Sequence, residues 1–199
     1  TTDGNLSKDG RHIVIVSKDQ SHLEKINERF GLGVKIGEHS SSYRPDRTYY
    51  HLQFGGKSFY QWLIQVGLKP RKTKHLGPLK IEMKFFADFL RGHFDGDGCV
   101  FSYYDPRWRS SYMIYTTFCS ASHDLMIWMQ NQIKEYFAIE GVLRKEKVVY
   151  SLRFAKQGSL RLMDQMYPSN RTSLLYMERK YQKIQSIRAE VLKLVNRLP

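Results

Sequence analysis

Hydrophobic and polar positions along this chain fall into one order of elements that is written twice. In the first half, "RHIVIV" (residues 11–16) reads as a strand, and "SKDQSHLEKINERF" follows with Leu23, Ile26 and Phe30 at helical spacing. Capping-type residues open that helix and "GLG" ends it. "VKIGEH" and "TYYHLQFG" (48–55) alternate as two strands about the turn-like "SSSYRPDR", and "SFYQWLIQVGL" is a second helix. A turn-rich stretch, "TTDGNLSKDG", precedes these elements, and a basic, breaker-rich one, "KPRKTKHLGPL", follows them.

The second half repeats the order. "IEMKFFADFLRGHF" is helical, with Phe85, Phe86, Phe89 and Leu90 as its apolar stripe. "CVFSYY" and "SYMIYTTF" are strands around "DPRWRS", and "SHDLMIWMQNQIKEYF" is a helix with Ser122 as N-cap. "GVLRKEKVVYSLRFA" is a strand hairpin, and "GSLRLMDQMY" is helical before Pro168. A last helix, from about residue 170, carries Met177, Ile184, Ile187, Val191, Leu194 and Leu198 on one side. The repeat can be measured: Asp3-Gly4 and Asp97-Gly98 lie 94 residues apart, and "YHLQF" and "YSLRF" lie 100 apart. This predicts an α+β protein made of repeats 1–69 and 82–199, joined by a basic linker over 70–81.

Composition narrows the class. Hydrophobic residues make up 41% of the 199 and aromatics 14%, which supports a real core and excludes a disordered chain. No apolar run reaches the ~20 residues that span a bilayer. With 32 Lys+Arg against 19 Asp+Glu, the charge of +13 suits a polyanion, without separating DNA from RNA or an anionic membrane. Cys99 and Cys119 form neither a zinc spacing nor a disulfide framework. They read as small strand residues in a reducing, intracellular compartment.

Strand parity adds a surface. Tyr50, Leu52 and Phe54 point one way, with Tyr49, His51 and Gln53 opposite; Val148, Tyr150, Leu152 and Phe154 share one side, with Val149, Ser151 and Arg153 on the other. An apolar face for helices backed by a polar, basic one describes a nucleic-acid-reading sheet, and a solvent-facing sheet looks the same. The clusters Arg44/Arg47, Arg107/Trp108/Arg109 and Arg144/Lys145/Lys147 tilt the reading to DNA. Parity and polarity nominate Arg11, Lys35, Arg44, Arg47, His51 and Gln53 in the first half as DNA-facing. In the second half they nominate Arg107, Arg109, Tyr115, Arg144, Lys147 and Arg153.

Residues 90–98, "LRGHFDGDG", end a helical stretch in two aspartates and three glycines. Gly92 and Gly96, four apart, would let two helix backbones approach closely. A calcium loop is excluded by spacing, because Val100 stands where the EF-hand glycine belongs. Asp95 reads as a structural residue at the helix end.

The stretch resembles the nine-residue motif of the LAGLIDADG homing endonucleases, and "DFLRGHFDGDGCV" looks like that family's second copy. "LLYMERKYQKI" is similar to its C-terminal helical segment, and the duplicated α-β-β-α-β-β-α order extends the resemblance over the whole chain. The resemblance implies a two-repeat, monomeric fold with two saddle-forming antiparallel sheets. It also implies a staggered cut in a long, asymmetric double-stranded DNA site. Asp97, at the motif's eighth position, and Asp3, its first-copy counterpart, would hold divalent metal, with Mg²⁺ as the natural ion and Gly96 beside them. Lys57 and Lys156 are candidates for polarising water or steadying phosphate charge, Ser17 and Ser120 weaker ones, and Lys72 and Lys74 are backbone-phosphate candidates. The motif residues expected ahead of Asp3 are not in this sequence: either it begins after a cleavage or truncation, or a separate N-terminal helix or fragment completes the first copy. Intein splicing residues are not visible, which favours an intron-encoded or free-standing origin. The alternative is a non-catalytic binder on the same fold, either a maturase of structured intron RNA or a DNA-binding regulator.

Overall fold

The computed structural model describes residues 2–41, 44–70, 75–108, 110–170 and 174–196, and only the backbone of those within 39–47. The chain divides into two compact units, Thr1–Ile81 and Glu82–Pro199. In the first, strands β1 (Gly4–Leu6) and β2 (His12–Ser17) precede helix α1 (Gln20–Arg29). Strands β3 (Ile36–Ser41) and β4 (Arg44–Gly55) and helix α2 (Lys57–Val66) follow. The second opens with helix α3 (Met83–Asp97). Strands β5 (Cys99–Tyr104) and β6 (Tyr112–Ser120), helix α4 (His123–Phe137), strands β7 (Val142–Glu146) and β8 (Val149–Phe154), and helices α5 (Lys156–Met166) and α6 (Glu178–Val195) complete it.

Each unit is a four-stranded antiparallel sheet with helices on one face. The strand orders, β1-β2-β4-β3 and β5-β6-β8-β7, are the same topology, so the repeat seen in the sequence is a repeat of fold. In the second unit, β6 sends Tyr112, Ile114, Thr116 and Phe118 toward the helices, where all four are buried. Phe94 of α3 and Phe154 of β8 both meet the Phe118 ring edge-on, each at 6.1 Å between centroids. In the first unit the same side holds Leu6, Ile13, Leu52 and Phe54 under Leu23 and Ile26 of α1. Tyr60 of α2 joins them, donating its hydroxyl hydrogen bond to the Ser7 carbonyl at 2.6 Å.

Several boundaries differ from the sequence expectation. The opening turn-rich stretch contains β1, a short edge strand held by pairing with β2 (Gly4↔Ile15, Leu6↔Ile13) rather than by its own propensity. The expected turn over residues 40–47 is shorter, because β3 runs to Ser41 and β4 starts at Arg44. Polar side chains there masked a ladder that needs only backbone groups. Val148 is not on the apolar face but in the β7–β8 hairpin tip, 82% exposed. Within the stripe of α3, Phe86 and Leu90 are buried while Phe85 is exposed. The last helix begins at Glu178 rather than near 170, and residues 174–177 are non-helical, with side chains of α3 bonded to their backbone. Leu198 lies outside the described residues. Among the described residues, no helix is long and apolar enough to cross a membrane.

One buried hydroxyl completes the second sheet. Ser159 Oγ accepts from the Thr116 amide at 2.8 Å and donates to the Phe154 carbonyl at 2.9 Å, bridging β6 and β8 where their pairing ends. Ser159→Ala leaves both backbone groups unpaired in the interior. It is expected to lower stability by about 1–3 kcal/mol, read from chemical denaturation.

Candidate nucleic-acid interface and acidic motif

The motif residues lie at the C-terminal end of α3, and their polar groups are tied to the segment between α5 and α6 and to α6 itself. Arg91 is buried; its Nε donates to the Leu175 carbonyl and one terminal nitrogen to the Met166 carbonyl, both at 2.9 Å. The other donates to Asp88 at 2.7 Å. Asp95, also buried, accepts from the Tyr167 hydroxyl at 2.7 Å and from the Met177 amide at 3.0 Å. Its reading as a structural residue agrees with this placement. Burial and the adjacent carboxylate push Tyr167 ionisation far up, so its hydroxyl stays a donor. Lys180 Nζ donates to three carbonyls at the helix end, those of Phe94 (2.5 Å), Gly98 (2.7 Å) and Gly96 (3.2 Å). An ammonium there also complements the negative end of the helix dipole.

Asp97, the last residue of α3, is exposed. Gly98 comes next and starts the descent into β5. A Cβ at Gly98 would lie 2.6 Å from Phe94 Cα and 2.8 Å from the Phe94 oxygen, so the motif's final glycine is a steric requirement. Gly92 behaves differently: it is exposed, and a Cβ there would meet nothing within 4 Å. In the first unit Asp3 is likewise exposed, one residue ahead of β1, with its carbonyl accepting from the Val16 amide at 3.1 Å. Each sheet therefore has one exposed aspartate just before its first strand. No group of three or more His, Cys, Asp or Glu gathers among the described residues.

The other nominated residues sort by element. His51 and Gln53 stand on the helix-free face of the first sheet. Gly37 opposes His51 in the ladder, and a Cβ at Gly37 would collide with that imidazole. Tyr115, Arg144 and Arg153 share the helix-free face of the second sheet. Arg11 and Lys35 are exposed just outside strands, and Lys147 caps the β7–β8 hairpin with a positive φ of 42°. Arg44 and Arg47 stand on β4, their side chains outside the described residues, as are Arg109, Lys72 and Lys74. Lys57 and Lys156 are the first residues of α2 and α5, equivalent positions just after the fourth strand of each unit rather than at strand ends. Ser17 and Ser120 are local caps: their hydroxyls accept from the Asp19 amide at 3.1 Å and the Ser122 amide at 3.2 Å.

Arg107 is presented by an ordered loop. Asp105 accepts from its side chain at 2.9 and 3.1 Å and from its backbone amide at 2.9 Å, which holds the Asp105 carboxyl at a pKa of about 2. Arg91, Tyr167 and Lys180 were missed by pattern reading, as were Phe101 and Tyr103 of β5. The signals for them were the "LLYMERKYQKI" segment and the parity of "CVFSYY".

No protein-family model and no curated protein sequence matches the chain. Its fold matches solved structures. The homing endonuclease I-WcaI, bound to its DNA recognition sequence, aligns with a TM-score of 0.64 and 12% identity over 92% of this chain and 80% of that one. I-DmoI in complex with DNA and Mn aligns at 0.51 with 12% identity, over 80% of this chain and 82% of that one. Full-length DUF199/WhiA from Thermatoga maritima aligns at 0.55 with 15% identity over 98% of this chain, which spans 64% of that protein's length. The chain has the LAGLIDADG homing-endonuclease fold.

Two outcomes are expected. Lys180→Met leaves three carbonyls without their shared donor. It should cost about 1–3 kcal/mol in thermal or chemical denaturation and speed hydrogen exchange at the Gly98 and Cys99 amides. For Asp105, the folded pKa is depressed, so its stabilising contribution is full above the unfolded carboxyl value of about 4 and is lost as pH falls toward about 2. A carboxyl NMR titration should give a midpoint near 2, moving up in Arg107→Ala.

Proposed function

We propose that this chain is a divalent-metal-dependent endonuclease that cuts double-stranded DNA at a long, asymmetric site, one strand per repeat. The observation that carries the reading is the exposed aspartate at the equivalent place in each repeat, Asp3 before β1 and Asp97 before β5. Carboxylate oxygens are the hard donors that Mg²⁺ takes, and Asp97 and Asp3 would each serve as a metal ligand. Bound there, the metal would activate water and stabilise charge on the phosphorus centre.

The chain's own residues supply the rest. Lys180 donates to the Gly96 and Gly98 carbonyls on either side of Asp97, which holds the backbone that carries its carboxylate. Lys57 and Lys156 start helices, where a cation opposes the dipole. That equivalent, locally disfavoured placement in both repeats supports a role for them against phosphate. His51, Gln53, Arg144 and Arg153 on the helix-free faces and Arg107 in its loop meet the duplex. The two faces carry different side chains, which suits a target without symmetry.

A second reading has one observation behind it. The Gly96 carbonyl beside Asp97 already accepts from Lys180, which suits a fold that binds nucleic acid without cutting it.

Incubation with a randomised duplex library separates the two readings. Mg²⁺ should give staggered cuts at one long sequence, Ca²⁺ should give binding alone, and Asp97→Asn or Asp3→Asn should reduce cleavage to background with binding kept. Binding with no cleavage in Mg²⁺ or Mn²⁺ overturns the nuclease in favour of the binder.

A further inference from the structure

The helix-free face of the second sheet carries a cluster of three aromatic rings. Phe101 and Tyr103 on β5 and Tyr115 on β6 are cross-strand neighbours on that face (Phe101↔Tyr115, Tyr103↔Met113). Their ring centroids lie 5.2 Å (Phe101–Tyr115), 6.3 Å (Tyr103–Tyr115) and 6.5 Å (Phe101–Tyr103) apart, and their planes agree to within 25°. Phe101 remains 37% and Tyr103 44% exposed. Arg153 places its guanidinium carbon 5.8 Å from the Phe101 ring centroid. Beside Arg153, on the opposing β6 position, Thr117 is only 4% exposed, and neither its hydroxyl nor Arg153 Nε has a hydrogen-bond partner among the described residues. Arg144 is exposed on the same face, and the 81%-exposed Arg107 side chain follows β5 in its loop.

Near-parallel rings exposed on a sheet and flanked by guanidinium groups are a surface for the flat side of a nucleobase. Paired bases in a duplex offer only their edges and phosphates, and opening a DNA pair costs a few kcal/mol. RNA presents unpaired bases in loops and bulges without that cost.

We infer that the Phe101–Tyr103–Tyr115 cluster is a stacking platform for unpaired bases of RNA, with Arg153 and Arg107 meeting the adjoining backbone. The inference rests on the reading of this face as the nucleic-acid side, and it adds a ligand that duplex cleavage does not require. Base stacking contributes about 1–3 kcal/mol per base, a factor of about 5 to 150 in affinity.

The test measures binding of the full chain to RNA hairpins with randomised loops, and to single-stranded DNA and duplex DNA of matched sequence. Phe101→Leu, Tyr103→Leu and Tyr115→Leu keep β-compatible apolar side chains, and circular dichroism and thermal melting check that each variant is folded. The expected result is RNA-loop binding that weakens about tenfold or more in each variant, with duplex binding changed less than about threefold in Phe101→Leu and Tyr103→Leu. Abasic nucleotides placed in the loop should produce the same loss in the unaltered protein, which keeps the proposal testable if a variant fails to fold. Unchanged RNA affinity in folded variants, or indifference to abasic positions, overturns the platform. Equal, ring-dependent binding of single-stranded DNA overturns RNA as its occupant. Loss of duplex cleavage with ring-dependent RNA binding retained would sink the nuclease reading and leave this one standing.

Discussion

The burial of charge at the end of α3 is the constraint on which the second unit depends. A carboxylate, a guanidinium and an ammonium are removed from water within one helix turn or beside it, and each would be severely destabilising alone. They are tolerated because every one has strong partners: Asp95 with Tyr167 and the Met177 amide, Arg91 with two carbonyls and Asp88, Lys180 with three carbonyls. All of these bonds but Arg91–Asp88 reach across more than 70 residues of sequence, so they form only when α5, the segment before α6 and α6 itself have docked. In return they hold the last turn of α3 and the backbone on both sides of Asp97 in one arrangement. The non-helical residues before α6 are a consequence, since a helix there would have used its own amides and carbonyls.

Duplication then distributes one topology over two chemically different faces. Both units share the strand order and the helix after the fourth strand, and both use a serine at the end of the second strand to cap the next turn. Their helix-free faces have diverged. The first unit shows His51 and Gln53 with a glycine opposite the imidazole, and the second shows three packed aromatic rings under an arginine. The side facing the helices is held by the need to bury Leu52, Phe54, Phe118 and Phe154. The other side has no such demand and is free to carry recognition.

The sequence by itself determined the duplicated α+β order, the helix-facing parity of Leu52 and Phe54 on β4 and of Leu152 and Phe154 on β8, and the Asp-Gly pair that recurs in both repeats. All of these come from local rules: helical and strand periods, and glycine-acid pairs at a regular offset. The tertiary structure decided what local rules cannot reach. Strand β1 exists through pairing with β2, and Lys180 serves the motif helix from 82 residues beyond Gly98. Gly98, not Gly92, is the glycine with a backbone against its missing side chain. Phe101 and Tyr103 looked like ordinary strand residues until the β5–β6 register set them against Tyr115. The physical reason is the same in each case: a hydrogen bond, a steric contact or a ring stack depends on a neighbour in space, and pattern along the chain specifies neighbours only within a few residues.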